Sequence, residues 1–150
     1  MSASTTPSLV SDINVWVALT HGAPVHHDFA HDWFESLEGQ APLSFCRFTQ
    51  LGLLRLLTAD AVMGDEVLTQ AMAWSVYDRW PDDNRVRYAE EPPGVERAFR
   101  ALTRQRQASP KAWADACLIA FAERAHMSLV TFDRALKGKS PGLVLLEALD

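Results

Sequence analysis

Three aspartates stand where a carboxylate needs explaining. Asp12 closes the apolar run Ser8-Leu-Val-Ser-Asp12 and precedes an apolar stretch from Ile13 to Thr20. Asp133 repeats the arrangement after Ser128-Leu-Val-Thr-Phe. If those runs are strands of an open parallel sheet, both acids lie beyond strand carboxyl ends, where such sheets bind ligands. The competing reading of each is a helix N-cap, a role that aspartate fills well. Asp115 is different. It is the sixth residue after Ser109, the expected cap of its helix, and it shares a helical face with Leu118, Ile119 and Ala122. A carboxylate on an apolar face is costly unless it is paired or holds a cation. Arg55 is the candidate basic partner.

Should Asp12, Asp115 and Asp133 converge, each charge raises the pKa of the others. A hard divalent cation relieves that repulsion, and Mg²⁺ and Mn²⁺ prefer carboxylate oxygens while keeping several waters. Such a site suits hydrolysis of a phosphodiester, because the metal acidifies a bound water and neutralises the phosphate.

The elements that must position these acids alternate along the chain. Strands are expected at Ser8–Asp12, Ala41–Phe45, Arg85–Glu90, Met127–Thr131 and Leu143–Leu146. Helices are expected at Ile13–Thr20, Val25–Leu37, Cys46–Leu57, Glu66–Trp80, Pro92–Gln107 and Ser109–His126, with a short one after Asp133. Gly22, Pro24 and Gly39 read as breaks, Ala59–Gly64 as a turn, and Ser109-Pro110 as a cap followed by a first-turn proline. Alternating strands and helices give an α/β fold: a mainly parallel sheet covered on both faces. No repeat or linker interrupts residues 1–150, so one domain is expected, preceded by a polar leader at 1–7. At 150 residues, folding buries roughly 70% of the chain's surface, enough for one core.

Composition narrows the functions. Nineteen acids against fourteen basic residues give a net charge of −5, which argues against a polycation that coats nucleic acid. Eleven of the basic residues are arginine, and Arg97, Arg100, Arg104, Arg106 and Lys111 fall in an acid-free stretch of 15 residues. Arg97, Arg100 and Arg104 would share a helical face, either simply solvated or contacting phosphate. Cys46 and Cys117 read as reduced thiols in apolar surroundings. The first residues do not form a signal peptide and no apolar run reaches membrane-spanning length, so a cytoplasmic protein is expected. His27 and His31 have the spacing of a helical metal pair, with His26 beside them, but no third ligand is evident and a solvated face is the expectation. The aromatic residues are expected in the core, with Trp16, Trp33 and Phe34 as the alternative lining of a partner groove. There is no phosphate-cradling GxxxxGK[ST] loop and no GxSxG elbow.

Four segments together resemble a known family: Asp12-Ile-Asn14-Val-Trp16-Val, Thr49-Gln-Leu-Gly-Leu-Leu-Arg-Leu-Leu-Thr58, Trp113-Ala-Asp115-Ala-Cys-Leu-Ile-Ala120 and Val130-Thr-Phe-Asp133-Arg-Ala-Leu136. In this order and spacing they look like a PIN-domain ribonuclease, and more narrowly like the VapC toxins of bacterial toxin–antitoxin pairs, over about residues 8–147. The resemblance implies a PIN-like three-layer α/β/α fold with about five parallel strands, and a metal-dependent endoribonuclease. It implies Asp12, Asp115 and Asp133 as catalytic and Mg²⁺- or Mn²⁺-binding acids, with Asn14 and Thr131 in support. It further implies an RNA substrate, a homodimer and neutralisation by a VapB-like antitoxin. One position departs from the pattern. Such domains usually carry a further acid on the helix after the second strand, and here the matching residue is Gln50. The neutral amide lowers the site's charge by one and points to a single tightly held metal. Arg55, on the same helix, is a candidate contact for an acid or an RNA phosphate. The alternative functions are a catalytically weakened PIN-like module that binds RNA or a partner, which Gln50 favours, and a phospho-receiver or phosphatase using Asp12. Asp12-Ile-Asn14 lacks the second acid that an aspartyl-phosphate enzyme of the DxD type would carry.

Overall fold

The structure is a computed structural model and describes residues 8–21, 26–37 and 42–147. Five strands, β1 (Leu9–Ser11), β2 (Leu43–Phe45), β3 (Val86–Tyr88), β4 (Ser128–Thr131) and β5 (Val144–Leu145), form one sheet in the order β3-β2-β1-β4-β5. All four pairings are parallel, with Leu9 opposite both Leu43 and Ser128, Leu43 opposite Val86, and Val130 opposite Val144. Seven α-helices connect and cover the strands among the described residues: α1 (Ile13–Thr20), α2 (His27–Ser36), α3 (Arg47–Leu57), α4 (Asp60–Met63), α5 (Gln70–Tyr77), α6 (Val95–Leu102) and α7 (Pro110–Ala125). This is the expected α/β architecture with helical layers on a parallel sheet.

The strands are short and almost wholly apolar because both faces are covered, as parallel sheets require. Alternate residues divide between two cores. Leu9 and Val130 pack with α1, α2, α3 and α5, whereas Val10 and Leu129 pack with α6 and α7. Trp16 anchors the first core. It is fully buried, stacked on Phe45 with ring centroids 3.6 Å apart, and meets Trp80 edge-on. Trp16 and Phe34 are therefore core residues, and the alternative that they line a partner groove is corrected; Trp33 is only half-buried against the same core.

Several boundaries differ from expectation. Residues 60–66 form α4 and a 3₁₀ turn instead of a simple turn. The helix expected over Glu66–Trp80 begins only at Gln70, because the Thr69 hydroxyl caps it by accepting from the Met72 N–H. The arginine-bearing helix stops at Leu102, since the Thr103 hydroxyl donates back to the Phe99 carbonyl at 2.8 Å. Arg104 and Arg106 consequently leave the helix, and the proposed Arg97/Arg100/Arg104 face is cut short. Ser109 sits at the cap position of α7 but makes no side-chain cap bond, so only the proline part of that start signal acts. Gly22, Pro24, Gly39 and the leader at 1–7 lie outside the described residues.

Chain order decides where ligands can reach the sheet. From β1 the chain moves outward through β2 to β3, then crosses to β4 and β5 on the other side. The reversal falls between β1 and β4, and a crevice at such a switch point opens beyond the strand carboxyl ends. Asp12 directly follows β1, and Asp133 follows β4 by two residues. Helix α7 feeds β4, so its first turns, which carry Asp115, lie over that same edge.

Candidate active site

Asp12 is both a cap and a partner of the neighbouring strand. Its Oδ1 accepts from the Ile13 N–H at 2.7 Å, starting α1, and its Oδ2 accepts from the Thr131 hydroxyl at 2.8 Å. The two readings left open for Asp12, cap and site residue, are thus geometrically compatible. Asp133 likewise caps a 3₁₀ turn through the Ala135 N–H at 2.9 Å, while its Oδ2 lies 3.4 Å from the Lys111 ammonium.

Thr131 links these acids. It is fully buried at the end of β4. Its hydroxyl donates to Asp12, accepts the Asp133 backbone N–H at 3.0 Å, and receives a longer contact of 3.4 Å from Asn14 Nδ2. One donor and two lone pairs are all that a hydroxyl offers, so its capacity is filled. The Asn14 carbonyl accepts from the Phe132 N–H at 3.4 Å, closing the crevice between α1 and the end of β4.

Charge couples the third acid to the other two. Burial pushes the Asp12 carboxyl above its ordinary pKa, the Thr131 and Ile13 hydrogen bonds pull it back, and Asp115 and Asp133 push it up again. Burial also raises the pKa of Asp115, Asp133 adds to the rise, and Lys111 and Lys139 oppose it. Three carboxylates therefore share one electrostatic neighbourhood. Asp115 is half-buried, and its helical neighbours Leu118, Ile119 and Ala122 are buried in the α6–α7 core.

The cations facing Asp115 correct one expectation. Arg55 is exposed on the last turn of α3 and enters no ion pair among the described residues. Lys111, one turn before Asp115 on α7, and Lys139 take the place expected for it. Lys111 had a sequence signal in its i, i+4 spacing to Asp115. Lys139 had none, because only the return of the chain after β4 brings it close. Gln50 is also accounted for. It is buried, accepts from the Arg47 guanidinium and lies beside the Tyr77 hydroxyl, whose rise in pKa it limits. The amide is thus engaged by α3 and α5 neighbours.

The donor set suits a hard divalent cation: three aspartates in mutual repulsion, with an ammonium drawn to one of them. Among the described residues no three side chains of His, Cys, Asp or Glu are gathered around a single metal position. Mg²⁺ needs no such cage, because it is commonly held by one or two carboxylates and completes its shell with water. The histidines are not part of this arrangement. His27 Nδ1 meets the Ala18 carbonyl at 2.7 Å, His31 lies near Glu35, and His26 stacks on Phe132. Cys46 and Cys117 are both free; Cys46 is buried and Cys117 half-buried. Among the described residues no helix is long and apolar enough to cross a membrane.

Comparison with known proteins gives concordant results. The family profile described as PIN domain matches residues 9–140. Ribonuclease VapC41 of Mycobacterium tuberculosis is 40% identical over 131 residues, spanning 85% of this chain and 90% of that protein. Two solved structures share the fold. Mycobacterium tuberculosis VapC20, a Sarcin-Ricin loop cleaving toxin, superposes with a TM-score of 0.67 at 19% identity over 94% of this chain and all of that one. A chain of VapBC2 from Rickettsia felis, solved bound to a DNA fragment from their promoter, superposes with a TM-score of 0.64 at 14% identity, covering 91% and 96% of the two chains.

Proposed function

This chain belongs to the PIN-domain family, and from that premise we propose that it is a VapC-type ribonuclease toxin whose activity depends on Mg²⁺ or Mn²⁺. The observation that carries the reading is the Thr131 junction. It ties Asp12 to the start of Asp133's loop at the switch point of the sheet, within electrostatic reach of Asp115. The 40% identity with a protein named as a ribonuclease supplies the substrate class.

The proposed roles follow from what each side chain contacts. Asp12, Asp115 and Asp133 are the catalytic acids and would hold the metal. A divalent cation held there would neutralise the scissile phosphate and acidify a water for attack. Thr131 fixes the orientation of Asp12 by donating to one oxygen, so that carboxylate meets its ligand without first reorganising. Asn14 braces Thr131 and the Phe132 backbone. Lys111 and Lys139 offset the repulsion among the acids and are placed to meet an RNA phosphate.

Burial of Asp12 and Asp115 makes their charged forms costly, a cost that a bound cation would offset. An acidic protein can therefore cut an anionic polymer at one cation-filled point without coating it. A homodimer is part of this proposal, and exposed Leu51 on α3 with Met72 and Trp74 on α5 are apolar side chains that a second copy could cover. A VapB-like antitoxin is the proposed inhibitor, by analogy with the VapBC2 assembly.

The test is cleavage of total RNA by the purified chain with Mg²⁺ or Mn²⁺ and with EDTA, using Asp12→Asn and Asp115→Asn as controls. Metal-dependent cleavage that both variants lose supports the reading. Undiminished cleavage in EDTA, or by both variants, would falsify it. A second reading is favoured by Gln50, whose amide stands where the family usually has an acid and is occupied by Arg47. On that reading the protein binds RNA or a partner with little turnover, and RNA is retained but left uncut under every metal condition.

A further inference from the structure

The segment that carries Asp133 is held from a side that the acids do not use. Phe132 lies between Thr131, which orients Asp12, and Asp133. Its backbone is tied inward, the N–H donating to Asn14 Oδ1 at 3.4 Å. Thr131 and Asp133 turn their side chains towards Asp12 and Lys111. The Phe132 ring points the other way, into the core that Val130 shares with α1 and α2, as alternation along an extended chain requires.

What meets this ring is the start of α2. The His26 imidazole lies flat on Phe132, with centroids 4.5 Å apart and planes 23° from parallel. Phe29, nearly one turn later, approaches the same ring at 6.4 Å with a tilt of 57°. His27 fixes where these side chains stand. Its Nδ1 meets the Ala18 carbonyl at 2.7 Å, which pins α2 to the helix that Asp12 caps. His21 and His31 face Glu66 and Glu35 instead.

His26 is exposed, and it makes no side-chain cap bond to α2. Its own burial therefore adds little stability, and replacing it leaves the helix start intact. What its stack constrains is the ring beneath. A half-buried ring beside a turn has rotamer freedom, and a second ring laid on its outer face removes that freedom. Histidine suits an exposed stack, because one face covers the partner while the polar edge stays in water.

Resting on the metal-dependent reading above, we propose that His26 is a positioning residue for the acid site. Stacked on Phe132, it holds the Thr131–Asp133 segment in the arrangement proposed to receive the cation. It supplies no ligand and touches no reacting atom. Its effect passes through Phe132 to the Asp133 carboxylate and to the Thr131 hydroxyl that orients Asp12. The position requires a planar ring, not the imidazole nitrogens.

Two measurements on the full chain test this, using His26→Ala, His26→Phe and His26→Gln. The first is amide hydrogen exchange in EDTA. The Phe132 N–H should exchange about two- to tenfold faster in His26→Ala and His26→Gln, and at the wild-type rate in His26→Phe, with the amides of β1 unchanged. The second is Mn²⁺ titration by calorimetry, in which affinity should fall by a similar factor in the alanine and glutamine variants and recover in the phenylalanine variant. Melting temperatures in EDTA should stay within about 2 °C of wild type. Unchanged exchange at Phe132 in His26→Ala overturns the proposal. So does rescue by glutamine in place of phenylalanine, since a polar contact would then be acting. A lowered melting temperature, with exchange raised throughout α2 and β4, also overturns it by marking a general structural role. The two readings fail separately. If wild type binds no Mn²⁺ while exchange still depends on the ring, the metal-dependent reading fails; if Mn²⁺ binds alike in all four proteins, the role of His26 fails.

Discussion

The Thr131 hydroxyl donates to Asp12 Oδ2 across 2.8 Å, joining residues 119 positions apart in the sequence. The bond crosses the switch point of the sheet, from the end of β4 to the end of β1. Both atoms are needed to fix the carboxylate, and neither strand alone could do it.

Thr131→Val keeps the shape of this buried residue and removes the hydroxyl. Asp12 loses a donor, and the Asp133 N–H loses its acceptor. Leaving buried polar groups unpaired should cost about 1–3 kcal/mol of stability, read from the midpoint of a urea melt. Loss of an orienting partner should lower cleavage by about 10–100-fold. Thr131→Ser keeps the hydroxyl and should recover most of the activity; if serine performs no better than valine, the hydroxyl has no orienting role.

Asp115→Asn separates metal binding from folding. The folded-state pKa of Asp115 is raised, through burial first and Asp133 second. A raised carboxyl binds protons better folded than unfolded, so its favourable contribution is present below the ordinary value of 3.8 and is lost as pH rises through the raised value. At pH 7 in EDTA the variant should therefore melt above wild type, with the gap closing as pH falls towards 4. Mg²⁺ should raise the melting temperature of wild type and leave the variant nearly unchanged. A variant that melts lower in EDTA at pH 7 contradicts this electrostatic account.

Gln50→Glu restores the acid that the family usually carries at this position. Because the Gln50 oxygen already accepts from Arg47, the new carboxylate should pair with that guanidinium in place of a metal. Cleavage should then change by less than about threefold, which corresponds to well under 1.4 kcal/mol. A tenfold gain, with tighter Mn²⁺ binding by calorimetry, would place Gln50 among the metal-facing residues.

Gly52→Ala probes the packing that seats Asp12. A Cβ on Gly52 would come within 2.2 Å of Ile13 Cδ1, in the side chain that follows Asp12. Overpacking of this kind costs about 1–3 kcal/mol. Reduced thermal stability should be accompanied by weaker metal binding, as α1 and its cap shift together. Full retention of both would mean that Ile13 adopts another rotamer without moving the helix.

Much of the fold was legible because its signals are local. Apolar runs of strand length, Pro110 at a helix start, and the repeated strand–acid–helix pattern at Asp12 and Asp133 each depend on residues close in sequence. The elements that ran too long fail for an equally local reason. Thr69 and Thr103 terminate helices through side-chain hydrogen bonds, and hydrophobic periodicity does not register them.

The sequence by itself determined that this is an alternating α/β chain, and it singled out three carboxylates as candidates for a cation site. It also determined, through the four ordered motifs, which family to expect, and the profile match and the relative at 40% identity agree. Tertiary structure alone decided the partners. It replaced Arg55 with Lys111 and Lys139 beside Asp115, gave Gln50 to Arg47, and buried Trp16 and Phe34 while leaving Trp113 open. The physical reason is that partner choice depends on distances set by the sheet's crossover. Spacing along one helix fixes which residues share a face, but not which side chain from another element arrives to meet them.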